Sequence, residues 1–267
     1  MAENVQLQLV DEHGWRCGFA NVLRLENQHW WATKRWWVQS LIMTVLLNGL
    51  LAYGIWIVPL LEPVEPNPEF VPVTLDVILI WMSILSVFST IFITQSAIIG
   101  EKQSGAVAWI MSGPVSRSGF IIAEFIGNAI GLLSITVLLQ GILIYLQFSM
   151  SEGYFLPIIP IMAALLLQSL YLLFYLSLVI MLGTFFSSRV PLLAISFATL
   201  IGQPFIDNFT EEFAPWLSWA LPAKLPELAR FAHRWQKLPS YSSIVLTLAL
   251  TLGFLVLAIW RFKREEF

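Results

Sequence analysis

Six apolar stretches, each about as long as the 20 residues that carry a helix across a bilayer, take up roughly half of the 267-residue sequence. They lie at about 37–61, 75–99, 120–148, 158–186, 190–206 and 244–260. Each is apolar around its whole circumference, as a membrane span is and a surface helix is not. The first runs into Pro59, Pro63, Pro66, Pro68 and Pro72, which cannot continue a helix. The fifth is short and reads as broken by Gly202 and Pro204. Composition agrees. Hydrophobic residues make up 58% and charged residues 12% of the chain, against about 45–50% and 25% in soluble domains. The mean hydropathy is +0.77. The expected fold is an all-α membrane protein with six transmembrane helices.

This arithmetic leaves no room for a soluble catalytic domain. The longest remaining pieces, 1–36 and 207–242, are shorter than the ~50 residues of a small domain. The expected organisation is therefore an N-terminal segment, 1–36, and a transmembrane domain, 37–267. Cys17 alone makes no intramolecular disulfide, and with the scattered His13, His29 and His233 it makes no metal cluster. The net charge of −3 argues for neither an acidic nor a basic partner. No early apolar segment suggests a cleaved signal peptide. The sequence lacks G-x-x-x-x-G-K-[ST], H-E-x-x-H and G-x-S-x-G patterns. Ser116 and Ser118 have no histidine nearby in sequence. No catalytic residue, metal ligand or cofactor is assigned to this chain.

Basic residues set the orientation, because they gather on the cytoplasmic side. Arg16, Arg24, Lys34, Arg35, Lys102, Arg117, Arg189, Arg261, Lys263 and Arg264 fall on one side of a six-span model, ten of the fourteen Lys and Arg. The loops on the other side, 62–74 and 149–157, carry Glu62, Glu65, Glu69 and Glu152 and no basic residue. Both termini are therefore expected in the cytoplasm. The segment 207–242 runs against the trend with Lys224, Arg230, Arg234 and Lys237, although Asp207, Glu211, Glu212 and Glu227 accompany them.

Three segments are amphipathic. Residues 16–36 alternate Trp15, Phe19, Val22, Leu23 and Trp30 with Glu26 and Lys34, which reads as a helix along the membrane surface. Residues 100–119 form a short helix between glycines, with Val107, Ile110 and Met111 on one face and Pro114 as its stop. That face is too small to be buried by itself and needs either lipid or a partner protein. Residues 207–242 read as short interfacial or re-entrant helices broken at Pro215 and Pro222, followed by an amphipathic piece at 225–235.

The deeper polar groups of the spans are uncharged: Asn48, Gln95, Asn128, Gln140, Gln168 and Gln203. They either bond helices to one another or line a translocation path. Glu124 lies about one turn into the third span, and Gly127 and Gly131 favour close packing there. Carboxylates deep in the spans would mark an ion-driven carrier, and their scarcity argues against one.

These residues resemble the permease subunits of type 2 ABC exporters over nearly the whole length. The resemblance rests on Arg24-Leu25-Glu26 in the interfacial helix, six spans, and an aromatic segment before the last span. Its most specific part is Gly100-Glu101-Lys102, Ser104-Gly105 and Met111-Ser112-Gly113-Pro114-Val115-Ser116-Arg117. Ala106 departs from the usual Thr, and Ala123-Glu124 from a common Gly-Lys. The resemblance implies the type 2 exporter permease fold in a cell membrane, with 100–119 as the coupling segment. Its ATPase-contacting residues would be Glu101, Gly105, Val107, Ile110, Met111, Pro114 and Arg117. It further implies two ATPase subunits, which hold ATP and Mg, and a second permease copy or a sister chain. Asn48, Gln95, Asn128, Gln140 and Gln168 are the candidate path residues. The alternative is a subunit that relays ATPase motion to an extracytoplasmic partner through 207–242, without transport.

Overall fold

The computed structural model describes residues 14–61 and 69–265. His13 and the prolines at 63, 66 and 68, with Glu62 and Glu65, lie outside the described residues. Every regular element among the described residues is helical. Six helices are long and apolar enough to cross a membrane: Trp36–Leu61, Phe70–Ser104, Arg117–Glu152, Ile158–Phe185, Arg189–Phe213 and Ser242–Lys263. Three short amphipathic helices accompany them, α1 (Phe19–Ala32), α2 (Ala106–Met111) and α3 (Leu225–His233). With an even number of spans, α1 and the end of the sixth span share one end of the bundle. That end also carries α2, and the opposite end carries α3.

The fourth span is the axis of the bundle. In its most apolar stretch 72% of the residues are buried, against 17% for the fifth span. It packs against the second span, the sixth span and α3. Phe174 and Tyr175 meet edge to face at 5.2 Å, an arrangement favoured by the ring quadrupoles.

Sequence and structure differ at the fifth span. The expected span of 190–206 is one helix, Arg189–Phe213, with Pro204 inside it, so 207–213 extends the span instead of opening an outer loop. Proline removes one backbone bond, and spans tolerate this because neighbouring groups re-satisfy the freed carbonyl. The helix is attached to the bundle by a narrow stripe of Leu192, Ser196, Gln203 and Thr210, with Gln203 Oε1 accepting from the Tyr171 hydroxyl at 3.1 Å.

The first span contains two wide π-helical stretches, Thr44–Gly49 and Tyr53–Ile57, and the third contains one, Leu133–Leu138. Such stretches leave the ordinary helical bonding pattern and open room for polar side chains. Gln140 uses that room. Its Oε1 accepts from Asn48 Nδ2 at 2.7 Å, while its Nε2 donates to the Ile135 carbonyl at 3.1 Å.

Candidate functional site

At the α1 end the segment 100–119 is held to the bundle from several sides. The second span ends at Ser104, and Gly105, at φ +75°, turns the chain into α2. Lys102 Nζ lies 2.8 Å from the Glu265 carboxylate and donates to the Thr184 carbonyl at 3.1 Å. Gln103 Nε2 donates to Ser187 O at 3.0 Å, and Arg117 Nη1 to Lys263 O at 2.6 Å. Ser116 caps the third span, its Oγ accepting from Gly119 N at 2.9 Å, as an N-cap serine does. The rings of Phe120 and Phe262 stack at 5.3 Å.

The face of α2 formed by Val107, Ile110 and Met111 was expected to need lipid or a partner. The structure corrects this. Val107 is wholly buried, and Ile110 and Met111 pack against the chain's own core. Trp109, on the opposite face, is 79% exposed. Glu101 and Arg117 are also partly covered by the chain, whereas Gly105 and Pro114 are exposed. The helical spacing of the three apolar residues is as read from the sequence. What covers them comes from distant parts of the chain, which local spacing does not encode.

α1 is docked, not merely resting at an interface. Its N-terminal end abuts the loop after α2, where Cys17 O accepts from Ser116 N at 2.9 Å and Cys17 Sγ donates to Pro114 O at 3.1 Å. Gly18 has φ +72°, and a Cβ there would stand 2.7 Å from Val115 Cγ2. Further along, Trp30 is 3% exposed and its Nε1 donates to Asn128 Oδ1 at 3.2 Å. The Gly127 and Gly131 pair admits α1. A Cβ on Gly131 would fall within 2.4 Å of the Trp30 ring.

Behind α1 lies a cavity of about 300 Å³, lined among others by Glu26, Trp30, Glu101, Glu124, Asn128 and Arg189. One carboxylate oxygen from each of Glu26, Glu101 and Glu124 lies within 4.8 Å of the others. Among the described residues this is the cluster able to hold a metal ion. Sequence reading missed it because the three glutamates lie on α1 and two different spans with no shared spacing. The position of Glu124 within an apolar span was the available signal.

The α3 end carries the opposite arrangement. The Asp76 carboxylate lies 2.7 Å from His233 Nε2, 2.6 Å from Arg234 Nη2 and 3.4 Å from Arg230 Nε. Burial lowers the His233 pKa below its ordinary 6.5, outweighing the attraction of Asp76, and Arg234 and Arg230 push the same way. Lys224 is buried against Asp207 and Glu227, each at 3.0 Å, and Glu211 at 3.5 Å. Burial opposes the ammonium, but Asp207 and Glu227 outweigh it and hold the Lys224 pKa above the ordinary lysine value. Thus three of the four basic residues of 207–242 are paired with carboxylates.

The candidate path residues are engaged inside the chain. Asn48 and Gln140 bond each other, and Gln147 Nε2 adds a bond to Asn48 Oδ1 at 2.8 Å. Gln168 Oε1 accepts from Ser83 Oγ at 2.7 Å and its Nε2 donates to Leu79 O at 2.9 Å. Asn128 Nδ2 donates to Glu124 Oε2 at 3.2 Å. Gln95, half-buried, donates to Phe92 O of its own helix at 3.0 Å.

Six apolar helices, with a docked amphipathic helix and a short helix exposed on one face at one end, define a multi-pass membrane protein. Residues 20–267 match the sequence model for the ABC-2 family transporter protein, and the chain belongs to that family. No curated protein matches it in sequence. Members of the family are generally non-catalytic membrane subunits, and the family implies partnership with an ABC ATPase and with membrane lipid.

Proposed function

We propose that this chain is the permease subunit of an ATP-driven exporter and that it grips a separate ATPase subunit through the exposed face of α2. The observation that carries the reading is Trp109, 79% exposed on a helix whose other face is locked into the core. Large aromatic side chains presented on a rigid element are the usual anchors of protein interfaces. Gly105 and Pro114, exposed beside it, complete the surface. Val107, Ile110 and Met111 support it from within, and Lys102 and Arg117 fasten it to the fourth and sixth spans. ATP and Mg act on the partner, since no phosphate-binding motif occurs in this sequence. Two copies of this chain, or one with a sister permease, assemble with two ATPase subunits. The path lies between the two permeases, and the weakly attached fifth span offers a face for such pairing.

The α1 end is the cytoplasmic one in this reading, and the membrane is the plasma membrane. The ten basic residues on that side support it. The exception, 207–242, loses its weight because Lys224, Arg230 and Arg234 are paired.

The test is co-purification with the cognate ATPase subunit and measurement of its stimulated hydrolysis. Trp109→Asp abolishes capture or coupling while membrane insertion and melting temperature stay unchanged. A Trp109→Asp complex that stays coupled overturns the docking surface. For orientation, Lys237→Cys in a Cys17→Ser background is labelled by an impermeant reagent in intact cells. Protection of that cysteine overturns the topology.

A further inference from the structure

We propose that Glu26, Glu101 and Glu124 bind a hard divalent cation of the Mg²⁺ or Ca²⁺ class at the junction of α1 with the second and third spans. Three observations lead there. First, one oxygen from each carboxylate lies within 4.8 Å of the other two. Ligands on opposite sides of one such ion, bound at 2.0–2.6 Å, stand about 4–5 Å apart. Second, Glu124 is 1% exposed and its Oε1 has no hydrogen-bond partner outside the carboxylate cluster. Glu101 Oε2 is likewise buried and without one. A buried carboxylate oxygen that accepts no hydrogen bond is costly, and coordination by a cation removes the cost. Third, these oxygens border a cavity of about 300 Å³, ample for an ion with waters.

Backbone packing builds the cluster, not a chance of side-chain placement. α1 passes so close to Gly127 that a Cβ there would lie 2.7 Å from Glu26 Cβ, which fixes Glu26 beside Glu124 one turn earlier. The opposing charge in the cavity is Arg189, at its rim, and Lys102 is committed to Glu265. An all-carboxylate oxygen set suits Mg²⁺, Ca²⁺ or Mn²⁺ and lacks the nitrogen and sulfur donors that favour zinc or copper. The ion would tie three elements together without any contact to the ATPase, so the site stands or falls apart from the docking reading.

The test uses the purified full chain in nanodiscs and Tb³⁺ as a stand-in for Ca²⁺. Trp30 lines the same cavity, and its indole sensitises Tb³⁺ emission. The expected result is saturable emission that Ca²⁺ or Mg²⁺ displaces. Glu124→Gln weakens Tb³⁺ binding by at least about tenfold, since even loss of a ligand's outer-shell partner costs that much, with unchanged elution and helicity. Glu101→Gln, placed nearer the rim, serves if the Glu124 variant misfolds, and shows the same loss. Absence of saturable binding overturns the proposal and leaves the carboxylates held by shared protons. Binding unaffected by both substitutions, or displaced by neither Ca²⁺ nor Mg²⁺, overturns it as well.

Discussion

At the α3 end one carboxylate, Asp76, faces two guanidinium groups and an imidazole, and one ammonium, Lys224, faces three carboxylates. At the α1 end three carboxylates share a cavity with a single guanidinium. The central groups of both clusters, Asp76, His233 and Lys224 at one end and Glu124 at the other, are buried, so charge matters there more than it would at a surface. The difference is in balance. The α3 cluster is satisfied by its own chain and ties α3 to the second span and, through Lys224, to the end of the fifth. The α1 cluster is satisfied only in part from within, with Glu124 Oε1 and Glu101 Oε2 left over, and it sits among the elements that carry α2. In the proposed permease the α3 end is fastened by its own charges, and the α1 end is the one left to answer to something outside the chain.

The sharpest way to break this comparison is Asp76→Ala. It takes the carboxylate from buried His233 and from Arg230, while Arg234 keeps Glu69 at 3.6 Å, and the expected loss is about 3 kcal/mol, the low end for a broken buried pair, read as a lowered melting temperature with α3 becoming protease-sensitive. Gly131→Val comes next. Its side chain would collide with the Trp30 ring, and overpacking costs about 1–3 kcal/mol, seen as release of α1 and faster labelling of Cys17. By contrast Gly253→Ala, where a Cβ meets nothing within 4 Å, should leave the melting temperature unchanged or slightly raised. Glu124→Gln keeps the side chain's size and an oxygen for the Asn128 amide, so stability should change by no more than about 1 kcal/mol in the absence of divalent ions. A loss as large as that of Asp76→Ala would show that the two ends are equivalent structural clusters.

The smallest effect concerns pH. His233 has its folded value below the unfolded 6.5, so the unfolded chain takes up a proton first as pH falls. Its contribution to stability is whole above about 6.5 and declines as pH drops through the depressed folded value. Melting temperature should therefore fall modestly between about pH 7.5 and pH 5.5, and His233→Gln should remove that part of the slope. An unchanged slope would detach His233 from the balance at the α3 end.

Much of the fold could be read from the sequence because span length and hydropathy are local properties. The six spans and the amphipathic 225–235 segment depend on neighbours a few residues away. Gly202 and Pro204 misled for a related reason: in water they end helices, but inside a bilayer the chain has no alternative partner for its backbone and the helix continues. Other features depend on residues far apart in the chain. Val107, Ile110 and Met111 have helical spacing, but their cover comes from elsewhere. The Asp76–His233 contact spans 157 positions, and the glutamate cluster joins three elements. The Gly127 and Gly131 pair announced a close approach without naming α1 as the helix that makes it.

The two attachments of α1 have a geometric consequence. Gly18 is pinned to Val115 just after α2, and Trp30 is pinned to Gly131 on the third span. Twelve residues of helix separate these points, about 18 Å at 1.5 Å per residue. A push of about 2 Å on the loop after α2 would therefore swing α1 by about 6° around its Trp30 pivot. The α1 helix then behaves as a crank: a short stroke at the exposed tip becomes a rotation delivered to the middle of the third span.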